Sequence, residues 1–352
     1  MAENTPFEDS NQAPRAPWEP EPPLPTEPPA PHHGAAAVRH FLAWAVLGAA
    51  AVLLISLATQ VVGGVMGAVV IAVRDGSSAD VNVSDNNLLT FLIMSQLISI
   101  AMFAPWWMRT RRRGLGIARP AACSQDRDGG RAANLVLVLS GIVLMGIGLQ
   151  MLISLMLGLI LPLFPEILRE YDELMEAGGT DELAVLPVLS VAILAPISEE
   201  LTVRGVAFQF ALRGVSPAWS PRLASGAYAK ILVTPLRFWT ANAIQALGFA
   251  ILHLNIVQGV YAFAIGMALG WMFGRTGKLW YGMALHLAIN FSSFFVEALG
   301  NVFGVLGDAG VVVLPIICLA AGLRLFTRTV PVSRGSAFAR EDRSGAPAEP
   351  SL

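Results

Sequence analysis

The chain has 352 residues, of which 55% are hydrophobic and only 14% are charged, with a mean hydropathy of +0.60. A soluble domain carries about 25% charged residues, so this composition excludes an ordinary water-soluble globular protein. Cys123 and Cys318 are too far apart for a CxxC metal motif, and two cysteines make no disulfide framework. The composition therefore predicts a multi-spanning membrane protein.

The two ends of the chain differ in composition from its centre. Residues 1–37 are rich in proline interleaved with glutamate and alanine. Such a segment cannot bury enough apolar surface to offset the entropy of ordering it. The last stretch, residues 327–352, has a similar character. We expect both segments to be disordered cytoplasmic tails.

Between the tails, apolar runs follow one another, each long enough to cross the roughly 30 Å hydrocarbon core of a bilayer. Irregular backbone cannot face lipid, so the predicted fold class is an all-α bundle of about eight transmembrane helices. The first two helices and a basic loop occupy residues 38–131, and a core of six helices occupies residues 132–326. The predicted helices cover residues 41–73, 88–108, 132–165, 183–212, 238–274 (two helices that turn near Leu254), 279–296 and 305–323.

The charges predict the orientation of this bundle. The loop from residue 109 to residue 131 contains seven arginines, whereas the loop from Glu166 to Glu176 is acidic. Cytoplasmic loops of membrane proteins carry an excess of Lys and Arg. We therefore expect a multi-pass protein of the plasma membrane, with the arginine-rich loop and both termini in the cytoplasm and the acidic loop outside.

Ionisable residues inside a membrane span are costly and by default indicate a functional site. Glu200 and Arg204 lie four residues apart on one helix face and can form an ion pair, whereas Glu199 has no local partner. Asn290 follows His286 by four residues, again on one face. Three helices therefore direct polar side chains toward a common interior. The ionisable residues inside the predicted spans are Glu199, Glu200, Arg204, His253 and His286.

Several readings of this set remain open. Glu200 and Arg204 can be a structural ion pair, a lone intramembrane histidine can bond two helices, and a proton-coupled transporter uses the same residue types. Alternatively, a carboxylate and an imidazole can take a proton from water, while a second imidazole and an amide stabilise an oxyanion. Glu199, His253 and His286 also form a possible zinc set with an open position for water. Residue types alone do not separate the zinc-dependent and metal-free versions.

Other types of intramembrane protease do not fit the sequence. It contains no HExxH motif, and the histidine of the fifth predicted helix lies in FAILHLN. Asp172 and Asp308, the nearest approach to a pair of catalytic aspartates, lie in predicted outside loops. No serine near the two intramembrane histidines lies in a strand-to-helix elbow.

Three segments resemble the motifs of one protein family. EELTVRG (Glu199 to Gly205), FAILH (Phe249 to His253) and HLAIN (His286 to Asn290) are similar to the EExxxR, FxxxH and HxxxN motifs of the CPBP intramembrane metalloproteases. That family includes CAAX prenyl endopeptidases and bacteriocin-processing or immunity proteins. The resemblance covers about residues 135–325, and Val203 stands where an aromatic residue is common.

The resemblance implies a role for each matching residue. Glu199 would activate the attacking water together with His253, and His286 and Asn290 would stabilise the oxyanion. Glu200 and Arg204 would position the helix and help to bind the polar end of the substrate. The family name implies one divalent metal such as zinc, yet a glutamate-based mechanism without metal is also argued for relatives.

The sequence therefore predicts an intramembrane endopeptidase whose partners are the lipid bilayer and a membrane-associated peptide or protein, with no nucleic acid. A composition rich in Ala, Gly, Val and Arg suggests a bacterium with a GC-rich genome, in which a prenylated substrate is not expected. The alternatives are a catalytically silent scaffold or immunity factor and a proton-coupled transporter. The intact motifs argue against the first, and the absence of a visible inverted repeat argues against the second.

Overall fold

A computed structural model of the protein describes residues 32–75, 85–112, 131–177, 183–216 and 235–330. Within these ranges the chain is helical and contains no strand, which confirms the predicted all-α class. The predicted tails fall mostly outside the described residues, as does most of the arginine-rich loop.

The first half of the described chain forms four long helices and one short one. Seven residues lie between the short helix and the fourth long one, and residues 178–182 among them are not described. The helices are α1 (Gly34–Arg74), α2 (Asp85–Arg112), α3 (Arg131–Ile160), α4 (Pro165–Ala177) and α5 (Val185–Gly214).

The second half forms five further helices with short connections. The predicted turn near Leu254 is present: Leu254 adopts a left-handed backbone (φ 53°), and the Asn255 side chain accepts a hydrogen bond from the Gln258 amide at the start of the next helix. The helices are α6 (Pro235–Leu252), α7 (Ile256–Thr276), α8 (Leu279–Ser293), α9 (Val296–Gly304) and α10 (Asp308–Thr329).

Each of the eight predicted spans corresponds to a described helix, and six or seven of them meet a criterion of length and hydropathy. Six described helices are long and apolar enough to cross a membrane, namely α1, α2, α3, α5, α7 and α10, and a seventh span is possible if α8 and α9 count as one despite their 79° bend. The helix at the predicted fifth position, α6, does not meet the same criterion. Its polar residues Arg237, Asn242 and Gln245 lower its hydropathy, and the two amides are buried inside the bundle.

The acidic connection predicted between the third and fourth spans contains a helix of its own. Residues Pro165–Ala177 form the helix α4. Its half-buried residues Leu168, Tyr171 and Met175 recur at helical spacing, while its charged residues are exposed. An amphipathic pattern of this kind is stabilised by packing of the apolar face against a larger body. The short segment is therefore helical because it rests on the bundle.

A cluster of buried aromatic rings joins one end of the bundle. Phe208 of α5 lies 5.8 Å from Phe238 of α6 and 6.2 Å from Phe273 of α7, measured between ring centroids, and Trp107 of α2 lies 5.8 Å from Phe273. Aromatic rings bury more apolar area than other side chains and dominate core energetics. This cluster fixes the ends of four helices together and leaves the middle of the bundle to the polar residues.

Gly266, Gly270 and Gly274, spaced four residues apart on α7, form a small-residue packing face. A Cβ at Gly270 would collide with the Asn242 Oδ1 atom, and one at Gly274 would collide with the Phe238 ring. Helices α6 and α7 therefore approach closely along these glycines, as in other small-residue interfaces of membrane proteins. Gly266, the third member of the face, also exposes its carbonyl to the side chains described below.

Candidate active site

The two adjacent glutamates lie in the middle of α5, on a short α-helical stretch between two π-helical turns. The α-helical stretch is Ala195–Glu200, and the π-helical turns are Val188–Leu194 and Leu201–Ala207. Turns of this type are frequent at functional sites. Consecutive residues of a helix point about 100° apart, so Glu199 and Glu200 enter different surroundings. The Glu199 side chain is 31% exposed, and that of Glu200 is 0% exposed.

Glu200 forms a fully buried ion pair with Arg204. The Glu200 Oε1 and Arg204 Nη1 atoms are 2.8 Å apart but are not aligned as a hydrogen bond, so the attraction is mainly that of two charges. Arg204 Nη2 also donates to the Gly266 carbonyl over 3.4 Å, and the guanidinium lies 4.4 Å from the centre of the Phe249 ring. Gly266 therefore has two roles: it permits close packing of α6 and α7, and its carbonyl accepts a hydrogen bond from Arg204.

The space around Glu200 depends on a glycine in α8. A Cβ placed on Gly282 would lie 2.8 Å from Glu200 Oε2, which is closer than neighbouring atoms normally approach. Gly282 stands one turn before His286 on the same face of α8. The sealed position of the carboxylate therefore requires the absence of a side chain at residue 282.

His286 lies between the two glutamates. Its Nε2 atom is 3.6 Å from Glu199 Oε2, and its Nδ1 atom is 3.6 Å from Glu200 Oε1. Both distances permit charge interaction and exceed those of a hydrogen bond. Glu199, for which the sequence offered no local partner, therefore finds its partner on another helix.

His253 lies in the turn after α6, and its orientation indicates its tautomer. Its Nδ1 atom is 2.9 Å from the Phe249 carbonyl oxygen. A carbonyl accepts hydrogen bonds and never donates them, so Nδ1 must carry the proton in this contact. In the neutral ring the Nε2 atom is then an acceptor. The Phe249 ring stands edge-on to both histidines, 4.8 Å from the His253 ring and 5.7 Å from the His286 ring.

Asn290 connects α8 to α5. Its Nδ2 atom donates a hydrogen bond of 2.9 Å to the carbonyl of Val191, which lies in the π-helical turn preceding the glutamates. An amide nitrogen has two protons, so one remains available after this contact. Asn290 therefore holds the two helices in register and keeps a donor for a further partner.

A cavity of about 460 Å³ collects four of the six predicted site residues. Glu199, His253, His286 and Asn290 line it, whereas Glu200 and Arg204 are not among its lining residues. The six residues thus separate into a group that a bound molecule can touch and a pair that is sealed behind it. The paired residues stabilise the arrangement from the protein interior.

Much of the remaining cavity wall consists of uncharged hydroxyl and amide side chains, which the motifs in the sequence did not reveal. They come from α1, α2, α3 and α5 and include the amides of Gln96 and Gln150. Polar residues repeating every three or four positions within an apolar span were the signal that would have found this wall. The residues are Ser56, Thr59, Gln60, Ser95, Gln96, Ser99, Gln150, Ser190, Ser198 and Thr202.

The amphipathic helix α4 covers one end of the cavity. Tyr171 and Met175 belong to the lining, together with Gln258 and Tyr261 of α7. The hydroxyl groups of the two tyrosines share a hydrogen bond. Burial raises the pKa of Tyr171, an effect that nearby Asp172 supports and the bond to Tyr261 opposes. Tyr171 therefore remains an uncharged phenol at neutral pH.

The candidate zinc ligands do not converge as a metal site. Among the described residues, no group of three or more His, Cys, Asp or Glu side chains is arranged to hold a metal ion. The zinc-dependent and metal-free versions remain the two alternatives, and we derive no step through a metal.

Comparison with known proteins identifies the part of the chain that contains these motifs. Residues 181–292 match the family model described as type II CAAX prenyl endopeptidase Rce1-like. The match includes all three motifs and confirms the resemblance to the CAAX protease family that they indicated. No curated protein and no solved structure matches the chain.

Proposed function

We propose that this chain, which contains an Rce1-like type II CAAX prenyl endopeptidase domain over residues 181–292, is an intramembrane endopeptidase that hydrolyses peptide bonds with water activated by Glu199. The observation that carries the proposal is the separation of the two adjacent glutamates. Glu199 lines the cavity and Glu200 is sealed in an ion pair. A purely structural pair of carboxylates needs no cavity around one member.

The first step of the proposed reaction is proton transfer from water. A carboxylate within reach of a bound water can act as general base and contributes typically 10²–10⁴-fold to the rate. Glu199 supplies this group, and the Nε2 lone pair of His253 can accept a second hydrogen bond from the same water. The resulting hydroxide attacks the carbonyl carbon of the scissile peptide bond.

The second step is stabilisation of the tetrahedral oxyanion. Donors aimed at the developing negative charge are often the largest contribution to catalysis in a water-poor site. His286 and the remaining proton of Asn290 are the proposed donors. Protonation of the leaving amine by Glu199, now a carboxylic acid, completes the hydrolysis.

In this proposal Glu200 and Arg204 are positioning residues that hold the catalytic side chains in place. The Arg204 guanidinium contacts Glu200, the Gly266 carbonyl and the Phe249 ring, so it connects α5, α6 and α7. Phe249 in turn contacts both histidines. We propose that the pair fixes the relative placement of the catalytic side chains without touching the reacting atoms, which differs from the substrate-binding role that the resemblance implied.

We further propose that the substrate is a membrane-associated peptide or protein and that the enzyme resides in the plasma membrane with both termini in the cytoplasm. A cavity of about 460 Å³ among membrane-length helices accommodates a short stretch of polypeptide. The hydroxyl and amide wall supports this substrate class, because such side chains can pair with peptide N–H and C=O groups that would otherwise lose their hydrogen bonds.

The experiment that tests the proposal compares the membrane peptidome of a strain expressing the Glu199→Gln protein with that of wild type. We expect at least one membrane-associated polypeptide to accumulate uncut in the variant strain, with its cleavage product present only in wild type. The control is a strain expressing the Glu297→Gln protein, because this glutamate is exposed and lies outside the cavity lining. The control strain should match wild type. Identical peptidomes in all three strains, with equal protein levels, would support the silent scaffold instead.

A further inference from the structure

Charged residues are distributed unequally between the two ends of the helix bundle. At one end, here called the basic end, helices begin or end with cations. Contacts confirm that these helix ends are adjacent: His40 Nε2 lies 2.9 Å from the Arg213 carbonyl, and Arg275 Nη2 donates to the carbonyls of Thr327 and Val330. The cations at this end are Arg39, Arg109, Arg111, Arg213, Arg237, Arg275, Lys278, Arg324 and Arg328.

The opposite end, here called the acidic end, carries mainly carboxylates. Arg74 and Arg169 are its cations among the described residues, and Arg169 is paired with Glu173 at 3.2 Å. The positive-inside rule places the basic end in the cytoplasm and therefore the acidic end on the other side of the membrane. The carboxylates are Glu166, Glu170, Asp172, Glu173 and Glu176 of α4, Glu297 of α9 and Asp308 of α10.

The catalytic cavity reaches the acidic end. Its lining includes Leu254, which is 76% exposed in the turn between α6 and α7, and Tyr171 of α4. Toward the basic end the lining stops near Thr202 and Ser99, in the middle of their helices, and the aromatic cluster of Phe208, Phe238 and Phe273 fills the bundle beyond them. A molecule therefore reaches the cavity from the acidic end and meets packed rings on the cytoplasmic side.

The charges in and around the cavity also select among polypeptides. None of the described lining residues is Lys or Arg, and Glu199 is the carboxylate among them. A free C-terminal carboxylate bound there would have no cation to pair with, and burying an unpaired charge is costly. The exposed carboxylates of α4 surround the end where a substrate enters. Charged residues around a cleft attract ligands of opposite charge and raise their association rate by 10–10³-fold.

We infer that this site receives its substrate from the non-cytoplasmic side of the membrane and that the substrate is an internal segment of a neutral or cationic polypeptide, not an acidic C-terminus. This inference rests on the proposed peptidase function for its substrate class. Its sidedness rests only on the position of the cavity and on the distribution of charge.

Thiol labelling tests the sidedness without any substrate. Ser293 lines the cavity and its hydroxyl donates to the Asn290 carbonyl, so a Ser293→Cys variant in a Cys123→Ser, Cys318→Ser background introduces a thiol there with a small change in volume. A charged, membrane-impermeant methanethiosulfonate is applied to right-side-out and inverted membrane vesicles. Arg111→Cys in the same background reports the basic end.

We expect Ser293→Cys to react in right-side-out vesicles and Arg111→Cys to react in inverted ones. Labelling of Ser293→Cys from the inverted side, from both sides or from neither side would overturn the proposed access route. These outcomes do not depend on catalysis, so they leave the peptidase proposal to be judged separately.

Peptide cleavage tests the charge preference. Two internally quenched peptides, amidated at the C-terminus and acetylated at the N-terminus, share one degenerate central sequence and carry either Lys or Glu at both flanks. Purified protein in vesicles of neutral lipid should cleave the Lys peptide about 10-fold faster at low salt, and the ratio should fall as salt screens the charges. A free-acid version of the Lys peptide should be cleaved more slowly than the amide.

Charge removal on α4 provides the matched comparison. The Glu170→Gln, Asp172→Asn, Glu176→Gln triple variant should lose most of the Lys-over-Glu ratio, whereas Glu297→Gln, on the same side but outside the cavity lining, should keep it. Equal cleavage of the two peptides by wild type, or an unchanged ratio in the triple variant, would overturn the charge preference. Failure to cleave either peptide, with labelling from the outside intact, would instead contradict the proposed peptidase function.

Discussion

Two adjacent glutamates of one helix occupy opposite kinds of surroundings. Around Glu199 there is a cavity lined by histidines, amides and hydroxyls, and the side chain is 31% exposed. Around Glu200 there is no space at all: the carboxylate is fully buried against Arg204, with Gly282 directly opposite. One residue step on a helix is enough to convert an accessible carboxylate into a sealed one.

Two adjacent residues of the same type can therefore have different roles. An accessible carboxylate can exchange a proton with water, and a sealed one cannot do so without leaving a buried arginine unpaired. Their link is His286, which lies 3.6 Å from an oxygen of each. We therefore expect changes in the sealed region to alter stability and changes in the cavity to alter chemistry.

The largest expected effect concerns the sealed ion pair. Removing one partner of a buried pair leaves an uncompensated charge and costs about 3–5 kcal/mol. Glu200→Gln and Arg204→Gln should each reduce the yield of folded protein and lower the melting temperature of what remains. Thermal unfolding in detergent, followed by intrinsic fluorescence, measures both. Wild-type stability in either variant would show that the pair is not sealed.

A smaller effect is expected from filling the space opposite Glu200. Gly282→Ala places a Cβ 2.8 Å from Glu200 Oε2, and overpacking of this kind costs about 1–3 kcal/mol. The control is Gly64→Ala, because a Cβ at that helical position meets nothing within 4 Å. The control should be as stable as wild type or slightly more stable, since alanine favours helix. Equal melting temperatures for the two variants would contradict the close approach.

The exposed ion pair of α4 shows how much burial contributes to the effect of the Glu200–Arg204 pair. Arg169 and Glu173 have the same four-residue spacing as the buried pair, at 3.2 Å, but their side chains are 69% and 63% exposed. Exposed pairs contribute about 0.2–1 kcal/mol because water screens their attraction. Glu173→Gln should therefore change the melting temperature very little. A loss as large as that of Glu200→Gln would mean that spacing, and not burial, determines the effect.

The smallest expected effect is that of metal removal. In the proposed mechanism the Glu199 and His253 side chains activate the water. Cleavage of a peptide by the purified protein should persist after dialysis against a strong chelator. Loss of cleavage with recovery on addition of zinc would establish the metal-dependent version. Zinc content per chain, measured in wild type and in His253→Ala, distinguishes a catalytic ion from a bound contaminant.

Local spacing predicted part of the site correctly. The four-residue interval between Glu200 and Arg204 indicated an ion pair, and the structure contains it at 2.8 Å. A glycine every four residues from Gly266 to Gly274 is typical of close helix packing, and α6 does approach α7 along these glycines. These features depend on the geometry of a single helix or on one helix surface, so a periodic pattern is sufficient to reveal them.

Features that depend on how separate helices align were not predictable in the same way. The position of His286 between two glutamates requires α8 to lie at one particular height against α5, which the Asn290 contact to the Val191 carbonyl helps to fix. The helix α4 was missed because its residues are too polar for a span and become helical only by packing on the bundle. Hydropathy alone understates α6 as a span, because it counts Asn242 and Gln245 as if they faced lipid although both amides are buried inside the bundle.

The most direct test of the account is the Glu199→Gln variant, measured for folding and for cleavage in one preparation. The change is nearly isosteric and leaves the Glu200–Arg204 pair intact, so melting temperature and extracted yield should equal those of wild type. Cleavage should fall by about 10²-fold or more, because the general base is lost. Normal cleavage, or a loss explained by failure to fold, would contradict the division between an accessible catalytic glutamate and a sealed structural one.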